Sequence, residues 1–472
     1  MKRKYLLMAL MVAAALFAKG QSKMLTLKDC IDTALANNFT VKQRELQANA
    51  AGIDYKQAKD NLLPSSQSTY NYSINNGRTI DPFTNGYITQ QLKSSGADVS
   101  ASIPIFNGFQ LRNTIRQNEQ AFAGARMEWQ QRKDELTLQV ILAYLQVLST
   151  QDAITLATQQ AAVTKQQAER IDIVGQEGAT APSNVSDLKG QYAGEQINLI
   201  SAENNYQSSV LSLTMLMQVP YTEDLQFSRT GLLEEIKTFD KMPEEIYSLA
   251  LQKLAAVKAA DLRVSSSVMA VKAAKGAYYP SVSLFGGAST NYSSAAMLNS
   301  FVSSADVQTG AYVQYNGTNL PVLARQDTYK STPINYGSQF NNNISYGFGV
   351  SMRIPLFNAL RVRNAVKMAK NDELSSRLVA DNIRLQLRQN IDQAYININA
   401  TSKRYLALQE QAAAYAESFR IATLRFDNGV INSPEYLIAK NNLDRVNGNL
   451  IIAKYEYMLR KKILEFYMGM LN

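Results

Sequence analysis

The sequence predicts an α+β membrane protein built from one unit repeated in tandem, with two short strands and one exceptionally long helix in each unit. Three observations predict it. The halves of the chain align on each other, the breakers are rare, and short alternating segments flank the long apolar-periodic ones. Only 23 glycines and 11 prolines occur in 472 residues, and few breakers mean long uninterrupted elements. With 46% apolar and 18% charged residues the chain has the material for a substantial folded core.

Residues 1–20, MKRKYLLMALMVAAALFAKG, begin with Lys2, Arg3 and Lys4 and continue as an apolar run from Tyr5 to Phe17. That pattern reads as a secretory signal peptide. The run is shorter than the ~20 residues that a membrane-crossing helix needs. Removing it takes away Lys2, Arg3, Lys4 and Lys19 and lowers the formal charge from +9 to +5. The charge that remains is scattered rather than clustered, so no nucleic-acid footprint is expected. No second apolar run of membrane-helix length follows, which leaves insertion as a β-barrel open.

Composition removes much of enzymology. The chain has no histidine and a single cysteine, Cys30, so His-based nucleophile activation, His-liganded zinc, disulfides and CxxC redox pairs are absent. No P-loop or metal-ligand cluster is present in the sequence, and neither cofactor nor enzymatic activity is expected.

The repeat sets the organisation. IPIFNGFQLRN at 103–113 matches IPLFNALRVRN at 354–364, a shift of 251 that also pairs Ala143-Tyr144 with Ala394-Tyr395, Gly178 with Gly429 and Met217 with Met468. Before these, a shift of 216 pairs Ala34-Leu35 with Ala250-Leu251 and Pro64 with Pro280. The expected domains are residues 21–235 and 236–472, each a tandem copy.

Each copy starts with a helix of about 35 residues, near 26–61 and 243–277. Strands follow at about 65–74, 96–104, 281–289 and 345–354. In the last, Tyr346, Phe348, Val350, Met352 and Ile354 alternate with Gly347, Gly349, Ser351 and Arg353. One greasy and one wet face fit either a half-buried soluble sheet or an outer-membrane barrel. Counting favours a shared barrel, because four strands are too few to close one and an open edge cannot stand in lipid. The loops near 75–95 and 290–343, rich in Ser, Asn, Gly and Tyr, read as exposed loops at a channel mouth or as unconstrained linkers.

The long helices come next. No glycine or proline lies between Pro355 and Gly429, and Ile391, Tyr395, Ile398, Ser402, Tyr405, Leu408, Ala412, Tyr415, Phe419, Ala422 and Phe426 step by three and four. This is a heptad seam. The first copy follows more weakly through Val140, Tyr144, Val147, Ile154, Ala157, Ala161, Ala168 and Ile171, with Gln151 and Thr164 interrupting. Asn107 and Asn358 stand where N-caps belong. Turns at 177–183 and 427–434 reverse the chain into return helices near 184–218 and 435–468, with irregular structure at about 219–242.

These residues together resemble the outer membrane efflux proteins, the TolC-like channels. The resemblance rests on the IPIFNG and IPLFNA junctions, Ala-Tyr in both long helices, and the turns at Gly178 and at Arg425-Phe426-Asp427-Asn428-Gly429. The segment GRTIDPFTNG at 77–86 is similar to that of Bacteroidetes-type members. The resemblance implies a homotrimer with a twelve-stranded barrel in outer-membrane lipid and a periplasmic α-helical coiled-coil barrel. It also implies a periplasmic adaptor (membrane fusion protein), an inner-membrane pump of RND or ABC type, and passive export in efflux or type I secretion. It places Gly178, Ser183, Arg425, Phe426, Gly429 and Val430 at the adaptor contact, and Asp187 and Glu435 at a gate constriction. A first-turn carboxylate such as Glu435 also suits a helix dipole without any gating role. The competing reading is a periplasmic coiled-coil scaffold without channel activity, and the two differ over the four strands.

Overall fold

The computed structural model describes residues 24–229, 236 and 239–470. The expected signal peptide at 1–20 and the junction between copies at 235 lie outside the described residues. The chain divides into a helical unit, made of the segment ending at Ile53, Asn118–Ser267 and the segment from Asp372 onward, and a strand unit, Asp54–Gln117 with Val268–Asn371. Each unit draws on both sequence copies.

The first helical segment is two helices, not the one expected. α1 (Leu27–Asn37) and α2 (Phe39–Asp60) meet at Asn38, whose backbone is extended (φ −61°, ψ 119°). The Asn38 N–H donates to the Ala34 carbonyl at 2.9 Å, and its Oδ1 accepts from the Thr40 N–H at 3.0 Å and the Val41 N–H at 3.4 Å. One asparagine thus ends one helix and caps the next. The second copy breaks at the matching residue, Leu254, between α5 (Pro243–Lys253) and α6 (Ala255–Gly276). No proline or glycine marks either break, which is why the periodicity read through it.

α3 (Gln110–Gln176) and α8 (Arg361–Asp427) are 67 residues each, on the order of 100 Å long. Their return partners are α4 (Pro182–Met217) and α9 (Ser433–Tyr467). Every seam residue of α8 named above is buried or half-buried. Leu408 packs with Val446, Ala453, Tyr405, Ala412, Tyr415, Leu443 and Leu450, so Tyr405 and Tyr415 are packing residues. Each fully buried aliphatic side chain contributes about 1.5–3 kcal/mol. An exposed i,i+4 pair such as Glu373 with Arg377 at 2.6 Å contributes only about 0.3–0.5 kcal/mol, so the seam dominates.

Among the described residues, α3 is the one helix long and apolar enough by composition to cross a membrane. Protein covers one side of its apolar stretch: Leu136, Val140, Ile141, Tyr144, Leu145, Val147 and Leu148 are buried against Cys30, Ala34, Val210, Leu213, Phe227 and Tyr455. The Tyr144 hydroxyl donates to the Ser228 carbonyl at 2.6 Å, and Leu25 bridges Phe227 beside it. The segment after Met217 is therefore tied down locally. Burial pushes the Cys30 thiol up to about 12, leaving it without reactive thiolate at neutral pH.

In the strand unit, β1 (Ser65–Asn75), β4 (Leu92–Asn107), β5 (Ser281–Ser293) and β8 (Ser345–Arg353) form one antiparallel sheet in the order β1-β4-β5-β8. These are the four expected strands, with β4 and β5 a few residues longer. The expected loops contain more structure: a short hairpin, β2 (Arg78–Ile80) with β3 (Tyr87–Thr89), and a long one, β6 (Met297–Tyr315) with β7 (Thr318–Pro333). The long hairpin turns at Asn316-Gly317, both at positive φ, a sequence favoured in two-residue turns. Register shifts near Val302 and between Gln308 and Tyr312 break its alternation, and its side chains are almost all exposed. α7 (Tyr336–Asn342) precedes β8.

The strand-to-helix junctions repeat the same backbone. Gly108 and Phe109 have φ 63° and 62°, and the matching Ala359 and Leu360 have φ 51° and 62°. The Asn107 Oδ1 accepts from the Leu111 N–H at 3.3 Å, whereas Asn358 offers its carbonyl to the Arg361 N–H at 3.1 Å. A Cβ on Gly108 would lie 2.1 Å from the Gly276 carbonyl oxygen. Gly108→Ala should therefore cost about 1–3 kcal/mol of stability, while Ala359→Gly should relieve up to about 1 kcal/mol of left-handed strain. Thermal melting of the two variants checks the opposite signs.

Candidate functional site

Antiparallel pairing puts partnered residues on one face, so the register sorts the sheet. Ser68, Val99, Ala288 and Tyr346 form one row, followed by Ser66, Ala101, Gly286 and Phe348, then Ile103, Leu284 and Val350, then Val282 with Met352. At the far end Tyr70 and Tyr72 share this face with Tyr292. The opposite face carries Ser65, Gln67, Thr69, Asn71, Asp98, Ser100, Ser102, Ser283, Ser289, Asn291 and Arg353. On the apolar side Tyr346 and Phe348 are 85% and 88% exposed. A concavity of about 530 Å³ is lined by Gln67, Ser100, Ser102 and Gly287 of the polar rows, with Ala101, Gly286 and Phe348 of the apolar rows beside them. Both β1 and β8 have a neighbour on one side alone within the chain.

The far turns of the helical unit form the second feature. Gly178 and Gly429 have φ 75° and 70°. Ala179 and Val430 donate back five residues to Val174 and Arg425, at 3.1 and 2.8 Å, and the glycines donate to Gly175 and Phe426 at 3.0 Å. Both helices therefore end in the same glycine motif. Pro182 and Pro434 then start the return helices, and the Asn432 Oδ1 accepts from the Glu435 N–H at 3.2 Å.

The two copies are tied to each other here. Buried Ser433 donates its hydroxyl to Asp187 Oδ2 at 2.6 Å and its N–H to Asn184 Oδ1 at 3.3 Å. Arg170 pairs with Asp427 across the copies at 2.8 Å, while Lys189 pairs with Asp172 inside the first copy at 2.7 Å. Beneath them Phe426 stacks on Tyr436 at 4.9 Å, among Ala168, Leu188 and Phe419.

Of the residues assigned to the tip, Gly178, Ser183, Arg425, Gly429 and Val430 are exposed. Phe426 differs from the expected surface contact: it is 6% exposed, because its ring supports the turn from below. Glu435 is exposed in the first turn of α9, and Asp187 is engaged by Ser433. Residues missed from sequence are Ser433, Asn184 and Tyr436, together with a buried charge cluster further along the return helices. There Lys440, 1% exposed, meets Glu195 at 2.8 Å and also Asp444. Gln191 donates to Glu195 at 2.8 Å. The Lys440/Asp444 spacing of four was the available signal.

Burial pushes the Glu195 carboxyl up, but the hydrogen bonds from Lys440 and Gln191 outweigh it and hold it below its ordinary value. For Asp444 burial wins over the Lys440 hydrogen bond and its carboxyl is held high. Glu195 therefore adds stability above its ordinary value of 4.5 that is lost as pH falls through the depressed folded one. Among the described residues no group of three His, Cys, Asp or Glu side chains is placed to hold a metal ion.

Lys440→Met leaves Glu195 buried without its cation, at a cost of about 3–5 kcal/mol at neutral pH. It also reverses the sign of the pH dependence, because burial then raises the Glu195 carboxyl. Melting temperatures should rise more for the variant than for the parent between pH 7 and pH 5, because the parent already holds Asp444 high but keeps Glu195 low; parallel profiles would contradict the pairing.

The outer membrane efflux protein family model matches residues 30–217 and 246–470. Outer membrane protein TolC of Vibrio cholerae serotype O1 is 24% identical over 479 aligned positions, covering 99% of this chain and 96% of that protein. Crystal structures of CusC (TM-score 0.76, 15% identity, 94% of this chain and 92% of that one) and of the Campylobacter jejuni CmeC outer membrane channel (0.74, 15%, 94% and 85%) share the fold. The chain belongs to the outer membrane efflux protein family, with the tandem-repeat α+β fold of the TolC-like channels and their place in the bacterial outer membrane.

Proposed function

We propose that three copies of the chain close into one twelve-stranded barrel and form the outer-membrane duct of a tripartite efflux or type I secretion system. The observation that carries this is the sheet itself, with two edges unpaired within the chain, an exposed apolar face and a polar one opposite it. Lipid favours the apolar face and cannot satisfy the edges, whereas neighbouring copies satisfy them. Nothing in this path needs a proton-transfer group, and the absence of histidine suits a passive conduit driven by a pump elsewhere.

The glycine turns supply the partner end. Gly178, Ser183, Arg425, Gly429 and Val430 are exposed and flank a cleft of about 280 Å³ lined by Arg170, Val174, Thr180, Phe426 and Asn428. We assign this surface to a periplasmic adaptor, which links the duct to an inner-membrane pump of RND or ABC type. Asp187 and Glu435 then sit next to the contact, where a threefold ring of carboxylates would attract cations. Ser433, by holding Asp187, would tie the two copies' turns together in the closed state.

Outer-membrane fractions should yield a heat-sensitive trimer that conducts ions across planar bilayers with cation preference, and Glu435→Gln should weaken that preference. A soluble monomer would overturn the channel. Unchanged selectivity in the variant would remove Glu435 from the constriction.

A further inference from the structure

The α7 segment takes the apolar face of this sheet end and, through Gln339 and Asn343, the backbone of Ser293 and Asn291, while the GRTIDPFTNG segment fastens to side chains of the polar face. Tyr336 of α7 contacts the hydroxyls of Tyr70 (3.3 Å) and Ser95 (3.1 Å), and Thr290 donates to the Phe340 carbonyl at 2.7 Å. By register Tyr70, Ser95 and Thr290 all lie on the apolar face. The 77–86 segment is held by Ser293, whose hydroxyl donates to Asp81, and by Asn291, whose amide reaches the Pro82 carbonyl at 3.5 Å. Asn291 and Ser293 lie on the polar face, in rows with Gly96 and Ser94.

The segment is a built element. Asp81 is 1% exposed and accepts from the Phe83 N–H (3.2 Å), the Thr84 N–H (3.3 Å) and the Thr84 hydroxyl (2.9 Å). Its backbone is closed by Asp81 N–H to the Gly86 carbonyl and Asn85 N–H to the Asp81 carbonyl, both at 2.9 Å. Gly77 (φ 104°) and Asn85 (φ 58°) make the bends, and the β2–β3 pair stiffens its base. A carboxylate with this many donors is a fixed anchor.

We infer that this segment is a flap latched over the polar face by Asp81 and Ser293, and that it sets the size of solute able to pass the outer mouth of the channel. The inference rests on the barrel reading above, in which the polar face lines the lumen and the sheet end that carries the flap opens to the outside. Three flaps then narrow the mouth in series with, and separately from, the helical turns. Its consequence is a second size filter that faces the exterior.

Accessibility of a lumen cysteine tests it. In a full-length Cys30→Ala background, Ser100→Cys places a thiol on the polar face and Val99→Cys one on the apolar face. Intact cells are treated from outside with a small charged methanethiosulfonate or with a bulky polymer-linked maleimide. The small reagent should label Ser100→Cys alike with the flap latched or freed by Asn291→Ala/Ser293→Ala. The bulky reagent should label it about tenfold faster once freed, the factor that goes with losing one charge-assisted hydrogen bond. Replacing residues 78–89 by a two-residue Asn-Gly turn removes the flap outright and should give at least the same gain. Equal rates with the bulky reagent across latched, freed and flapless proteins, while the small one labels Ser100→Cys, would overturn the flap and leave the barrel standing. Labelling of Val99→Cys but not Ser100→Cys by the small reagent would overturn the barrel reading and the flap with it.

Discussion

The outward-pointing N–H and C=O groups along β1 and β8 need partners that a bilayer core does not offer, and each one left bare there costs several kcal/mol. β8 in particular sets this unmet edge beside Tyr346, Phe348, Val350 and Met352, all highly exposed. An apolar surface that belongs in lipid and a polar edge that is not tolerated there are reconciled by another copy of the same chain. Trimer closure, the wet inner face and a passive conducting path all depend on this constraint. The glycines of the polar face fit the same picture: Phe285 lies against Gly349, where an added Cβ would come within 2.8 Å of its ring.

The helical unit answers a different demand, that of keeping very long helices in register. Apolar seams do most of this work, since exposed ion pairs along α8 are individually weak. The breaks at Asn38 and Leu254 fall inside the cores around Tyr144 and Ile391, with Ala34 and Val41 buried on either side of the first and Ala250 and Val257 on either side of the second. Between α4 and α9, Lys440 with Glu195 and Asp444 adds a polar contact that is costly to mispair. At the far turns, buried Ser433 joins the two copies through its hydrogen bonds to Asp187 and Asn184. The firm part of the packing is thus buried, and the ties at the turns are few and short.

Much of this was legible in the residues because it obeys one period or one breaker rule. The seam from Ile391 to Phe426 runs in steps of three and four, and the strands at 96–104 and 345–354 alternate cleanly, whereas the one after Pro280 is less clear. Gly178 and Gly429 end helices in the way glycine does. The breaks at Asn38 and Leu254 were hidden because helical spacing of apolar residues continues across them. β6 and β7 were hidden because both faces meet water and bulges disrupt their alternation, although Asn316-Gly317 marked the turn. At the tip, the seam spacing already marks Phe426 as a packing residue, as its burial bears out, while its stacking partner Tyr436 comes from the following helix and is not visible in that spacing. Ser433 and Lys440 acquire their meaning from partners about 245 residues away, and no local pattern carries that information.

A closed barrel of three copies requires β8 of one copy to pair with β1 of the next. Paired cysteines on the polar face, at Gln67 or Thr69 of β1 and Gly347 or Gly349 of β8 in a Cys30→Ala background, can be oxidised in outer membranes and resolved by denaturing electrophoresis. Covalent dimers and a closed trimer formed by particular pairs, and by neither single cysteine alone, are the expected result. A chain that stays monomeric for every pair, or links β1 to β8 within itself, would contradict it.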